Sequence, residues 1–450
     1  MPPLTAVKSW SLGDVIAGVT VAATSLPQYI AYAELAGLAG HLGLKSSGPP
    51  IMAFAFLTGS PSLCIGVTSI TALMAHAALG GAEYREAHGD ERWMDLLGTF
   101  SVLVGIVSLV MALAGTAKLA RHIPRSVKLG WKLGFAVTVV AAQTAGAVFG
   151  AGPGALKRLC VLPALPPGLP PISGGAAAMY RLCWMLLQPQ LWDLGAAALA
   201  GLTLLVVLRG GAPLVKLLRL PGLEVVLATA LGTALAAAGG YAGDVVGLPP
   251  AAPAAADGAG PLGPLLGWLR RWPWEMPWGE LLGRLGGAHW ALLSAAAFAA
   301  VDFLAIISVV PEGPANELAG QGIGCIVSGM AGSAPVGGSL SRSMVAGMTG
   351  ATSPLMGFVS GSATLVLAFP QVGALLAPVP KAVLAAVVLA AVLPSVLWPK
   401  DVLGLRGADA AVGWATALAC CLTDPTKGFG AGLAVHASLR LLRRPAGKEE

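Results

Sequence analysis

Residues 60–74, SPSLCIGVTSITALM, and 333–347, SAPVGGSLSRSMVAG, decide the reading of this chain. Each is an apolar stretch shorter than the roughly 20 residues a spanning helix needs. Each is interrupted by Gly and Pro and carries several hydroxyl side chains. Each is the third apolar segment of its half of the chain. Broken segments at matching places in two halves are the sequence mark of a transporter site near the bilayer midplane. A chance likeness between two Gly-rich stretches is the competing reading at this point.

Composition sets the solvent. The chain has 450 residues, of which 56% are hydrophobic and 11% charged, with a mean hydropathy of +0.77. Soluble domains carry about 25% charge, so a water-soluble globule is excluded, as is a disordered chain. A bilayer protein remains, with 61 Gly and 34 Pro, residues that membrane helices tolerate and use for close packing. The net charge of +6 is spread between hydrophobic blocks and reads as topology, not as nucleic-acid binding.

Outward from the two broken segments, hydrophobic blocks run over 12–36, 49–60, 65–80, 94–117, 130–150, 190–208 and 221–240. A Pro/Gly/Trp-rich stretch at 247–286 follows, read either as an interfacial re-entrant or amphipathic segment or as a plain loop with interfacial anchors. The second half runs over 288–310, 317–334, 339–350, 354–370, 374–394, 410–421 and 428–440. Each half holds about seven segments. Because seven is odd, a duplicated second half must lie inverted in the membrane.

Charge agrees with both termini in the cytosol. The connector after the fourth block, 94–117, and the start of the next hold Lys118, Arg121, Arg125, Lys128 and Lys132 and no acid. Arg209, Lys216 and Arg219, and the tail residues Arg440, Arg443, Arg444 and Lys448, lie on the same side. The opposite loop is acidic on balance, with Glu83, Glu86, Asp90 and Glu91 against Arg85 and Arg92. The start, MPPLTAVKSW, lacks the charge pattern of a signal peptide. The six cysteines show no zinc spacing. Cys160 and Cys183 share one outer loop and are read as a disulfide or as two free thiols.

Ionisable groups inside spans are costly, roughly 2.5–3.5 kcal/mol each at a helix centre. Asp302 sits mid-span, Arg342 begins the short segment of the second half, and Glu34 ends the first span, in an outer vestibule. His76 and His289 lie near span ends and read as interfacial. Gln28 and Tyr32 lie four apart on one helix face. Two short helices meeting N-terminus to N-terminus make an anion site. Gly66 and Gly338 admit close backbone approach, Thr68, Ser339 and Ser341 bring hydroxyls, and Arg342 brings a full charge with a planar donor fork. Asp302 is the natural partner for a coupling proton or cation; a structural ion pair with Arg342 is the alternative.

SLPQYIAYAELAGL at 25–38, GSPSLCIGVTSITALM at 59–74, the block from Asn316 to Gly357 with its APVGGSLSRS core, and PKAVLAAVVLAAVL at 380–393 resemble the SulP anion permeases, the solute-carrier family that includes pendrin and prestin. The resemblance spans about residues 12–441. It implies an all-α polytopic membrane protein of about fourteen segments in two inverted seven-segment repeats, with half-helices at segments three and ten. Residues 12–118 and 288–372 would form a moving core, and 119–246 and 373–441 a gate. Residues 247–287 would be a non-cytoplasmic loop and 442–450 a cytoplasmic tail. Gln28, Tyr32, Thr68, Leu340, Ser341 and Arg342 would line the anion site, and Asp302 would carry the coupling ion. Val67 and Thr68 replace the family's usual Pro and following aromatic, and Gly347 stands where an Asn is frequent. The family usually carries a C-terminal STAS domain, whereas this chain ends LLRRPAGKEE; the expectation is a transmembrane domain alone.

The function expected is secondary transport of a small inorganic anion, sulfate first, by an elevator-type shift, coupled to a proton or Na⁺. Bicarbonate or chloride on the same fold is the alternative. A nucleobase-permease-like carrier and an anion channel or voltage-responsive motor are further alternatives. No enzyme, no cofactor beyond the coupling ion, and no metal or nucleic acid is expected. The partners expected are the anion, membrane lipid and a second copy in a homodimer. The compartment expected is the plasma membrane or an organelle membrane.

Overall fold

The apolar runs become helices. The computed structural model describes residues 11–115, 123–150, 174–210, 223–247, 268–309, 314–368, 377–423 and 425–442. The first half contains α1 (Leu12–Leu35), α2 (Gly40–Ala55), β1 (Ile65–Gly66), α3 (Ser69–Ala78), α4 (Gly81–Leu113), α5 (Arg125–Phe149), α6 (Gly174–Leu187), α7 (Leu194–Leu205) and α8 (Leu223–Ala238). The second contains α9 (Trp278–Arg284), α10 (Ala288–Val309), α11 (Pro314–Met330), β2 (Gly337–Gly338), α12 (Leu340–Met348), α13 (Leu355–Leu367), α14 (Lys381–Leu397), α15 (Lys400–Leu403), α16 (Gly407–Leu422) and α17 (Pro425–Leu442).

Among the described residues, α1, α4 and α5 are long and apolar enough to cross a membrane by themselves. A fourth such unit is α14 with α15, bent by 45° beyond Ala390. Other apolar helices are shorter, 10–17 residues. Short and broken helices persist at membrane depth when their ends are buried in protein, where other groups take up the freed backbone hydrogen bonds.

Three boundaries differ from the hydrophobic blocks. Helix α2 begins at Gly40 instead of 49, because the polar Ser46 and Ser47 return their hydroxyls to the carbonyls of Leu42 (2.8 Å) and Gly43 (2.5 Å) and are buried. Helix α4 begins at Gly81, thirteen residues before the apolar block at 94, and kinks at Gly89 (φ 82°). Helix α6 had no counterpart among the blocks. Its sequence mixes Arg181 and Tyr180 into a short apolar run, which weakens the hydropathy signal.

Two packed sets of helices emerge. Helices α1, α2, α4, α11 and α13 pack on one another, with α3, α10 and α12 set among them. Helices α5, α7, α14, α16 and α17 form the second set, with α6 and α8 against it. Glycines let these helices touch backbone to backbone. In α4 and α11, Gly98 faces Gly329 and Gly105 faces Gly322, an antiparallel seam with a seven-residue repeat on each helix. Ser101 donates to the Cys325 carbonyl between them at 2.8 Å. In α5 and α16, Gly130 faces Gly413 and Gly134 faces Ala417, a parallel seam. Small residues at such seams replace the hydrophobic drive that lipid removes.

The described part of the Trp-rich stretch is a cap. Arg270 bonds Asp95 at 2.7 Å and also reaches Glu91, and Arg271 pairs with Asp95 at 2.8 Å. Arg284 donates to the carbonyls of Leu79 and Gly80, closing the C-terminal end of α3. Cys183 is a free thiol, and Cys160 lies outside the described residues. His76, in the last turn of α3, is half-buried with its ring edge-on to Trp93 at 5.4 Å.

Candidate functional site

The two broken segments meet. Ile65 pairs with Gly338 and Gly66 with Gly337 in a two-stranded antiparallel ladder. Ser339 N–H donates to the Cys64 carbonyl at 2.9 Å, and the Ser343 hydroxyl accepts from Cys64 N–H at 2.9 Å. The antiparallel pairing sends α3 and α12 away in opposite directions with their N-termini at the shared ladder. Helix N-termini carry unpaired N–H groups and partial positive charge, so the ladder is flanked by two positive ends.

Thr68 caps α3. Its hydroxyl accepts from Thr71 N–H at 3.2 Å, while Thr68 N–H donates to the Thr71 hydroxyl at 2.9 Å. One orphan donor of α3 is thereby satisfied, so Thr68 shapes the helix end as well as bordering the site. Helix α12 carries no side-chain cap. Leu340 and Ser341 are its first two residues, and their side chains lie outside the described set.

Arg342 is the electrostatic centre. It is 2% exposed. Its Nη2 donates to the Val67 carbonyl at 2.9 Å, across from one broken segment to the other. The Tyr29 ring lies under the guanidinium, 5.1 Å from ring centre to Cζ. The guanidinium presses on Gly66 so closely that a Cβ there would collide with Nη1. Among the described residues, Nε and Nη1 have no hydrogen-bond partner and no carboxylate pairs with Arg342. A buried cation with two idle donor nitrogens is costly unless an anion completes it.

Helix α1 supplies the facing wall. Gln28 and Tyr32 are both buried. The Tyr32 hydroxyl engages the Ser69 side chain and lies in the field of Arg342. Ser25 Oγ, Gln28 Oε1 and the Tyr29 hydroxyl, all buried, have no partner among the described residues. Buried polar atoms are normally bonded, so this cluster of idle groups on one stripe of α1 suits a polar occupant. Tyr29 was missed by sequence reading. Its only signal was its place four residues after Ser25 and three before Tyr32, one helical turn from each.

Asp302 lies on α10, and its side chain falls outside the described residues. Glu34 is not in an open vestibule: its carboxylate lies 3.6 Å from Lys381 Nζ on α14, with 17% and 24% of the two side chains exposed. Two further carboxylates hold the frame. Asp14 accepts from Thr352 N–H (2.7 Å), Ser353 N–H (2.9 Å) and the Ser353 hydroxyl (2.8 Å), tying α1 to the turn after α12. Glu317 accepts from the Thr58 hydroxyl (2.7 Å) and Gly59 N–H (2.9 Å), just ahead of β1. The S-x-x-D pattern of residues 11–14 signals the Asp14 cap locally; its contacts with Thr352 and Ser353 have no local signal.

Two packed helix sets, apolar helices of spanning length and two short helices that start at a shared ladder describe a multi-pass helical membrane protein. The chain belongs to the sulfate permease family, whose model matches residues 12–152 and 288–408. That family comprises transporters, not enzymes. The chain is 41% identical over 140 residues to a probable sulfate transporter of Mycobacterium tuberculosis, covering 30% of this chain and 24% of that one. It is 28% identical over 400 residues to human solute carrier family 26 member 6, covering 85% of this chain and 48% of that protein. These matches span about a quarter to a half of those relatives. The fold matches the transmembrane domain of the cyanobacterial bicarbonate transporter BicA (TM-score 0.69, 19% identity, 93% of this chain and 96% of that one). It also matches the murine solute carrier 26 family member A9 anion transporter (TM-score 0.72, 14% identity, 97% and 69%).

Proposed function

We propose that the protein is a secondary transporter of small inorganic anions, sulfate first, with the anion held between the N-termini of α3 and α12. The carrying observation is the buried Arg342 guanidinium with Nε and Nη1 unpartnered. Gln28 and Tyr32 on α1, Thr68 on α3, and Leu340 and Ser341 at the start of α12 form the rest of the pocket. The reading takes the chain as about fourteen segments in two inverted repeats, both termini cytoplasmic, with half-helices α3 and α12. Residues 12–118 and 288–372 act as the moving core, and 119–246 and 373–441 as the gate. The separate packing of the two helix sets supports an elevator-type shift of one against the other. Asp302 is the coupling residue for a proton or Na⁺, and a homodimer is the proposed assembly.

Bicarbonate or chloride is the second reading. The likeness to BicA supports it. Uptake of radiolabelled sulfate into proteoliposomes, with bicarbonate, chloride, molybdate and uracil as competitors, tests both. Saturable uptake blocked by an oxyanion but not by uracil supports the first reading. Counterflow with bicarbonate or chloride and no sulfate uptake moves the assignment to the second. Uptake by Asp302→Asn with unchanged pH and Na⁺ dependence would remove the coupling role.

A further inference from the structure

A groove of about 620 Å³ lies away from the anion site, between the N-terminal half of α5 and the end of α14. Leu129, Leu133, Pro394 and Trp398 form its apolar wall, and Lys132, Lys400 and Asp401 line its mouth. Both walls change character at the same level. Along α5, no charged residue occurs from 133 to 149, whereas Lys132, Lys128 and Arg125 follow one another toward its start. Along α14, residues 382–399 are uncharged and Lys400 comes next. The groove therefore straddles the boundary between hydrocarbon and water. Exposed Leu397 (68%), Trp398 (65%) and Leu403 (57%) beside it fit that level.

The lysines there are available. Lys132 Nζ is 3.8 Å from Asp401 Oδ2 with both side chains more than half exposed, a weak pair. Lys400 has no carboxylate partner among the described residues. The acid-free basic run before α5 marks this end as cytoplasmic, the side on which membranes present anionic lipid.

We propose that this groove binds one anionic glycerophospholipid of the cytoplasmic leaflet. Its phosphate lies between Lys132 and Lys400, and an acyl chain lies along Leu129, Leu133 and Trp398. Asp401 faces the same mouth and disfavours a second negative charge. The lipid spans α5 and α14 and so braces the second helix set, independently of what the permease carries.

Native mass spectrometry of the purified full chain, titrated with dioleoyl phosphatidylglycerol and dioleoyl phosphatidylcholine, tests this. Phosphatidylglycerol should be retained at least about tenfold better. Lys132→Gln or Lys400→Gln should each weaken it about fivefold, and the double variant about 25-fold, from the usual worth of a basic residue near an anionic surface. Unchanged melting of the double variant in phosphatidylcholine shows that it is folded. Equal retention of the two lipids, or undiminished phosphatidylglycerol on a folded double variant, overturns the proposal. So does competition by glycerol phosphate as strong as by the lipid, which would make the groove a free-phosphate site. Sulfate flux is not a readout here, so the result stands apart from the transport assignment.

Discussion

Arg342 on α12 donates to the carbonyl of Val67, the residue just before the Thr68 cap of α3, at 2.9 Å. One hydrogen bond thus joins the two broken segments from opposite halves of the chain and holds the cation at their crossing. It occupies Nη2, whereas Nε and Nη1 have no partner among the described residues.

Arg342→Ala should cut anion uptake by roughly 10- to 100-fold, the worth of one or two hydrogen bonds to a charged group. Initial rates in proteoliposomes, normalised to folded protein by size-exclusion chromatography, check it. Normal uptake by the folded variant would sink the site assignment.

Tyr29 separates ring from hydroxyl. Tyr29→Phe keeps the face under the guanidinium and should raise KM less than Tyr29→Leu, which should raise it about 2- to 30-fold, the range of a cation–π contact. Equal effects of the two variants would remove the ring from the site.

Gly66 leaves no room for a side chain. Gly66→Ala forces a methyl against Arg342 Nη1 on a backbone already at φ +155°. Uptake should fall at least about tenfold, since a misplaced charged donor loses its hydrogen bonds. Thermal stability is the companion measurement: the strained φ and the buried clash should lower the melting temperature, and uptake per folded molecule should still fall.

Glu34 and Lys381 form an ion pair that joins the two helix sets. A shift of one set against the other must break or carry it. Glu34→Gln and Lys381→Met should each change Vmax, by about two- to fivefold, and the double variant should add little to either. Strictly additive effects would show that the residues do not act as a pair.

Asp14→Asn keeps the shape but weakens the acceptor that holds Thr352 and Ser353. A loss of about 1–3 kcal/mol is expected for bonds to a buried carboxylate, read as a fall of a few degrees in the melting temperature of purified protein. Substrate KM should be the lesser change, because Asp14 braces the frame at a distance from Arg342.

The sequence alone determined the solvent, the helical class, the family resemblance and the two segments that matter. These follow from composition and local pattern: too few charges for water, apolar runs of spanning length, and Gly/Pro-broken stretches at matching places. Arg342, Thr68 and Gly66 were legible because an Arg, a hydroxyl and a Gly beside a short apolar segment are unusual locally. Tertiary structure alone decided the pairing of Ile65 with Gly338, the Tyr29 ring under Arg342, the Glu34–Lys381 contact and the reach of Asp14 to Thr352 and Ser353. Each joins residues far apart in the chain. A tyrosine in a helix has the same local pattern whether its ring meets lipid, a leucine or a guanidinium. Only the packing of the two halves, set by glycine seams and the antiparallel ladder, chooses among them.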